Sequence, residues 1–289
     1  MAIELDKVSY IYHINTPFAS TALHEISLTI FEGETLGITG DIGSGKSTLL
    51  QLTGGLIKPS GGRVLKDGRD LARLSKRELS ALHRRVGLVF QHPETQIFAY
   101  QVFDEIAFGP RNAGLKPAAV TERVKWALRA VGLPDGFQNR HTAALSAGEQ
   151  RRVAIAGVLA SKPAWILLDE PTAGLDGEGI SQVMATLSAF GQQPGQTVVM
   201  VSHDLRQLLA ISDRIVWLKA GKVWLDLRRE EIIDHYQILH ESAILPEVLN
   251  VMHALNEKGW QLDPAALTPS TLATAIAEHL RGEKQPCKD

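Results

Sequence analysis

Apolar and polar positions alternate loosely over residues 3–12, which predicts a strand. Residues 15–20, with Pro17, read as a turn. Residues 26–31 read as a second strand, closed by Glu32-Gly33. Residues 35–39 are apolar and bounded by glycines, the pattern of a strand buried on both faces. A glycine-rich stretch follows, then a helical run over residues 46–56 that stops at Lys58-Pro59-Ser60-Gly61-Gly62. Residues 86–90 predict another buried strand. The spacing then turns helical, with Val124, Ala127, Leu128 and Val131 in one run and Val153, Ile155, Ala156 and Leu159 in the next; residues 136–144 between them read as loop. Strand-like segments at 165–168, 198–201 and 215–218 alternate with helical stretches, which predicts a mostly parallel α/β sheet. Trp217 and Trp224 flank a turn at 219–222 and read as part of a hairpin. Around Leu225 the character shifts, and residues 228–289 carry a helical pattern with Pro246, Pro264 and Pro269, ending in a polar tail from Arg281.

Composition narrows the class. The chain has 289 residues, which at ~150 residues per domain suggests about two domains, or one large and one small. Apolar residues make up 44% and charged residues 21%, so a packed core is expected rather than disorder. The net charge of −2 argues against a nucleic-acid partner, since such binding runs on excess positive charge. The single cysteine, Cys287, can form neither an internal disulfide nor a zinc site and reads as an inert tail thiol. His235, His240 and His253 lack metal-ligand spacing and read as surface residues. No apolar run is long enough to span a membrane, and the acidic start lacks a signal peptide's basic region; a cytoplasmic protein is expected.

The chemistry concentrates at two places. Gly40-Asp41-Ile42-Gly43-Ser44-Gly45-Lys46-Ser47 fits G-x-x-x-x-G-K-[ST] between a predicted strand and a predicted helix. Glycines let consecutive N–H groups turn toward one anion, and the helix start adds about half a positive charge. Lys46 can reach β and γ phosphates, and the Ser47 hydroxyl can bind Mg²⁺. Further on, the apolar strand Trp165-Ile166-Leu167-Leu168 ends in Asp169-Glu170. Alone, these would be two solvated acids. At the carboxyl end of a parallel strand beside a phosphate loop, Asp169 suits Mg²⁺ through water and Glu170 suits a general base.

The order phosphate loop, Gln91, Leu145-Ser146-Ala147-Gly148-Glu149, Leu168-Asp169-Glu170-Pro171-Thr172, Leu175-Asp176 and His203 resembles the ATP-binding-cassette (ABC) ATPases. The resemblance covers residues 1–225. It implies a P-loop NTPase fold: a RecA-like core, an antiparallel β subdomain, an inserted α-helical subdomain at about 92–160, and a small helical appendage at 226–289. ATP and Mg²⁺ are the implied cofactors. The implied nucleotide contacts are Gly40, Asp41, Gly43, Ser44, Gly45, Lys46, Ser47 and Thr48. Tyr12 would stack on adenine, with Tyr10 as its rival. Ser47, Gln91 and Asp169 would hold Mg²⁺. Glu170 would activate water, His203 would hold the γ-phosphate, and Gln91 would also contact the attacking water. Ser146 and Gly148 would grip ATP bound to the opposite subunit of a head-to-tail dimer, with Asp176 at the interface. Two positions depart from the family: Ala147 replaces its usual glycine and Glu149 its frequent glutamine.

Residues 89–98, together with Val102 and Ile106-Ala107-Phe108-Gly109-Pro110-Arg111-Asn112, look like the ATPases of energy-coupling-factor transporters; residues 151–160 are also similar. In that group the segment after the glutamine meets a membrane-embedded coupling (T) protein, which carries a substrate-binding (S) membrane subunit. The implied location is the cytoplasmic face of the cell membrane, and the implied cargo a vitamin or transition-metal ion. The turn Asn15-Thr16-Pro17-Phe18 resembles one of the group's two ATPase paralogues, so both a homodimer and a heterodimer with a sister ATPase stay open. The appendage is either a dimerisation element or a tail that completes the fold. The other readings are the ATPase of a conventional ABC importer and a soluble mechanochemical ABC ATPase.

Overall fold

A computed structural model describes residues 2–242 and 245–282. The polar tail beyond residue 282, including Cys287, lies outside the described residues. The chain opens with the hairpin β1 (Ala2–Tyr12) and β2 (Ser20–Phe31), followed by β3 (Thr35–Gly40) and α1 (Lys46–Thr53). The short strands β4 (Gly61–Lys66) and β5 (Arg69–Asp70) precede α2 (Lys76–His83) and β6 (Val86–Val89). Three helices come next: α3 (Val102–Asn112), α4 (Pro117–Ala130) and α5 (Ala147–Ala160). The second half alternates β7 (Trp165–Asp169), α6 (Gly177–Gly191), β8 (Thr197–Val201), α7 (Leu205–Ile211) and the hairpin β9 (Arg214–Lys219) and β10 (Lys222–Arg228). It closes with α8 (Tyr236–Ser242), α9 (Glu247–Glu257) and α10 (Pro269–Gly282).

Two sheets result. One is antiparallel, in the order β2-β1-β4-β5; the other runs β10-β9-β3-β8-β7-β6, parallel except for β10. Every residue of β7 and β8 is buried, as expected for parallel strands covered on both faces. Between the sheets lies α1, whose Leu49, Leu50 and Leu52 are at most 1% exposed. Each contributes roughly 1.5–3 kcal/mol by leaving water, which fixes the start of α1 against the end of β3. On the other face α3 to α7 bury Val124, Leu128, Val153 and Leu159 in a second core.

Two boundaries differ from expectation. Helix α1 stops at Thr53, not near residue 56, because Gly54 caps it and Gly55 adopts φ 67°. Strand β2 begins at Ser20, paired with Tyr12 in the hairpin. Strand β10 runs to Arg228, where the expected helical segment begins. The turn before it, Ala220-Gly221, has φ of 49° and 74°, the left-handed pair that a two-residue hairpin of matching twist requires.

Candidate functional site

The carboxyl ends of β3, β6, β7 and β8 lie along one edge of the parallel sheet. Register sets Asp169 opposite Val201 and Leu168 opposite Val89. The phosphate loop, Gln91, the Asp169-Glu170 pair and His203 therefore all leave the sheet at this edge, where parallel sheets bind ligands. Gly40 has φ 136°, and a Cβ there would lie 2.0 Å from the Leu218 carbonyl oxygen. Gly45 has φ 99°, with a Cβ falling 2.6 Å from the Ala22 carbonyl oxygen. The loop is thus pressed against β9 and β2 at points where only glycine fits.

Lys46 folds back over the loop, donating from Nζ to the carbonyls of Gly40 and Asp41 at 2.8 Å each. Burial pulls its ammonium below the usual lysine range, against the charges of Glu170, Asp169 and Asp41. Burial also pushes the Asp169 carboxyl up, opposed by a hydrogen bond from Ser47 and by the Lys46 charge. Ser44 Oγ is buried, with no hydrogen-bond partner among the described residues. Thr48 Oγ1 lies 2.9 Å from the Tyr12 hydroxyl. Tyr12 is 38% exposed at the rim of the loop, whereas Tyr10 packs against the core between the sheets.

Glu170 is buried at φ 49°, a left-handed backbone that is uncommon for a residue with a side chain. Its Oε1 accepts the His203 backbone N–H at 2.9 Å, and its Oε2 lies 2.9 Å from His203 Nδ1. The His203 ring is three-quarters exposed. Gln91 is also exposed, and its carbonyl is held by Arg151 at 2.7 Å.

The structure does not bring Ser146, Gly148 or Asp176 into this cluster. Ser146 caps α5, exchanging hydrogen bonds with Glu149 at 2.8 and 3.3 Å, and none of its hydrogen bonds reaches the phosphate loop. Gly148 lies in the first turn behind it, and Ala147 is exposed in helical backbone, so its methyl has room. Asp176 caps α6 through Gly179 N–H at 2.8 Å.

The sequence model of the ABC transporter family matches residues 23–173, more than half of the chain. The chain belongs to the ABC transporter family. Its activity is ATP hydrolysis coupled to transport. This ABC subunit is 42% identical to the energy-coupling factor transporter ATP-binding protein EcfA2 of Symbiobacterium thermophilum, across 98% of both chains. The protein of the same name from Caldanaerobacter subterraneus is 38% identical, across 98% of this chain and 99% of the relative. Among solved structures, the dimeric cassette MJ0796 bound to ADP and Pi superposes with a TM-score of 0.72 at 32% identity, covering 78% of this chain and 98% of that one. The structure of cbiO1 from Clostridium perfringens, part of the ABC transporter complex cbiONQ, superposes with a TM-score of 0.68 at 33% identity, covering 86% and 98%.

One residue of this ABC subunit's site escaped sequence reasoning. Arg151 is buried behind Gln91 and Glu170. The available signal was a charge at the head of the Arg151, Ile155, Leu159 row, an otherwise apolar stripe spaced by four.

Proposed function

We propose that this chain is the ATP-hydrolysing motor of an energy-coupling-factor type importer, working as a head-to-tail dimer at the cytoplasmic face of the cell membrane. The observation that carries the reading is the gathering of Lys46, Ser47, Asp169, Glu170 and His203 at one sheet edge, with the Ser146 loop left outside it. A site missing its second anion grip is completed by a partner's Ser146 loop. Lys46 and the loop amides hold the phosphates, Thr48 and Tyr12 flank the base, and Glu170 takes the proton of the attacking water while His203 orients it. The hydroxyl of Ser47 and the buried Asp169 carboxylate suit a hard cation, and the unpaired Ser44 hydroxyl suits a phosphate oxygen. Ser47, Gln91 and Asp169 would hold Mg²⁺, whose charge neutralises the phosphate oxygens.

The membrane side is a groove between β6, α3 and α5, lined among others by Gln96, Phe98, Phe108, Asn112, Gly157 and Ser161. Phe98 and Phe108 are 65% and 50% exposed and meet edge to face at 4.9 Å. Exposed paired aromatics suit an apolar partner helix, here that of a membrane-embedded coupling (T) protein bearing an S subunit. No helix among the described residues is long and apolar enough to cross a membrane itself. The cargo class is a vitamin or a transition-metal ion, chosen by the S subunit.

The test is affinity capture of the tagged chain from gently solubilised native membranes, read by mass spectrometry. Recovery of a coupling protein and a small substrate-binding membrane protein is expected, with a sister ATPase if the dimer is heteromeric. A pair of large permeases with an external binding protein would move the assignment to a conventional importer. Ribosomal or DNA-bound proteins would overturn transport altogether.

A further inference from the structure

Arg151 lies in the second turn of α5 and is 6% exposed. Its guanidinium reaches groups on both sides of the catalytic edge. Nη2 donates to the Gln91 carbonyl at 2.7 Å. Nη1 donates to the Glu170 carbonyl at 3.4 Å and to the Ala173 carbonyl. Nε and Nη2 each lie 3.3 Å from Glu94 Oε2, and Glu94 in turn faces His92 Nδ1 at 3.2 Å. A buried cation survives only when paired and hydrogen-bonded. Here the pairing carboxylate stands in the segment bordering the groove, beside Pro93 and Gln96 in its lining. The remaining donors are satisfied by the backbone that carries Gln91 and Glu170.

We propose that Arg151 is a positioning residue for hydrolysis. One rigid fork fixes the backbone of Gln91 and Glu170 relative to each other, so that a shift of residues 91–96 on docking moves the carboxylate that activates water. This rests on the reading of Glu170 as general base. Glu170 is sensitive to such a tether because its left-handed backbone has few neighbouring conformations to relax into. A planar fork with five N–H groups can span carbonyls on opposite sides, which a lysine's single ammonium cannot.

The experiment compares wild type, Arg151→Met, Arg151→Lys and Glu170→Gln as full chains in the purified native membrane complex. It reads kcat and KM for MgATP per folded site, with melting temperatures alongside. Arg151→Met is expected to lower kcat about 10–100-fold with KM unchanged, the scale of a sub-ångström to ångström misplacement of a catalytic group. Arg151→Lys, which keeps the charge on Glu94, is expected to fold like wild type yet recover only part of the rate. Glu170→Gln should lose about 10²–10⁴ in kcat. If Glu170→Gln loses its rate while both Arg151 variants keep wild-type kcat per folded site, the positioning role is overturned and the base survives. Wild-type turnover in Glu170→Gln overturns the base, and the proposal with it.

Discussion

Glu149 serves two ends that pull against each other. Its carboxylate accepts the Ser146 N–H and completes a reciprocal cap on α5. Those hydrogen bonds from Ser146, the backbone one first, hold its carboxyl below the usual range and keep it ionised at working pH. In the proposed dimer the same helix start receives a partner's γ-phosphate, and a negative charge there opposes closure. Glutamine keeps the cap's acceptor and removes the charge. Glu149→Gln is therefore expected to lower the ATP concentration for half-maximal dimerisation by about two- to fivefold, the equivalent of ~0.3–1 kcal/mol for a charge at a helix terminus. Light scattering against ATP concentration, in a Glu170→Gln background, reads the midpoint; an unmoved or higher midpoint contradicts the reading. Asp169 sets stability against function in another way. Its carboxyl is raised by burial, so the folded state holds the proton more tightly than the unfolded state does. Stability is then fullest below the unfolded value and falls as pH rises through the folded one. Asp169→Asn removes that loss. Its melting temperature should exceed wild type at neutral pH, and the gain should vanish as pH falls to about 4, while ATPase activity is abolished. A thermal series across pH checks the sign.

The elements that hold these residues are joined more tightly than their order along the chain implies. Ile232, Leu239, Leu249, Met252, Leu267 and Leu272 of the C-terminal segment share one buried cluster with Trp217, Leu208 and the helices of the middle of the chain. The appendage thus packs its apolar face into the same core as the cassette. Met252 is fully buried, so Met252→Ala should cost about 2–5 kcal/mol in urea unfolding and shift a single transition. An early separate transition would mean that the segment folds as its own unit. This sharing was not legible in the sequence, where helical spacing marks an apolar face without saying what covers it. The phosphate loop and buried strands were legible because their constraints are local: glycine torsions, a fixed spacing, and apolar runs of strand length. Asp169 and Glu170 followed from a strand end beside the phosphate loop, and His203 from the resemblance. Arg151 did not, because its partners lie 57 to 60 and 19 to 22 residues away and meet only through the sheet. The end of α1 was misplaced by three residues, where a glycine pair outweighed periodicity.

For the molecule as a whole, the proposed cycle needs two faces that act together: the sheet edge that binds ATP and the groove that meets the membrane protein. Both border α5, and residues 91–98 run from one to the other. Docking energy should come mainly from the aromatic pair, since large exposed rings lining a groove bury the most area on contact. Because both rings are at least half exposed in the chain itself, removing them should spare the fold. The Phe98→Ser/Phe108→Ser double variant is expected to keep wild-type ATP binding and melting behaviour. It should recover membrane partners about tenfold less well in the capture experiment, as loss of an anchor worth more than ~1.4 kcal/mol requires. Equal recovery would place the membrane contact elsewhere on the surface. Lost ATP binding would mean instead that the groove supports the nucleotide edge directly, through Glu94 and the chain that follows Gln91, and that the two faces cannot be separated by mutation.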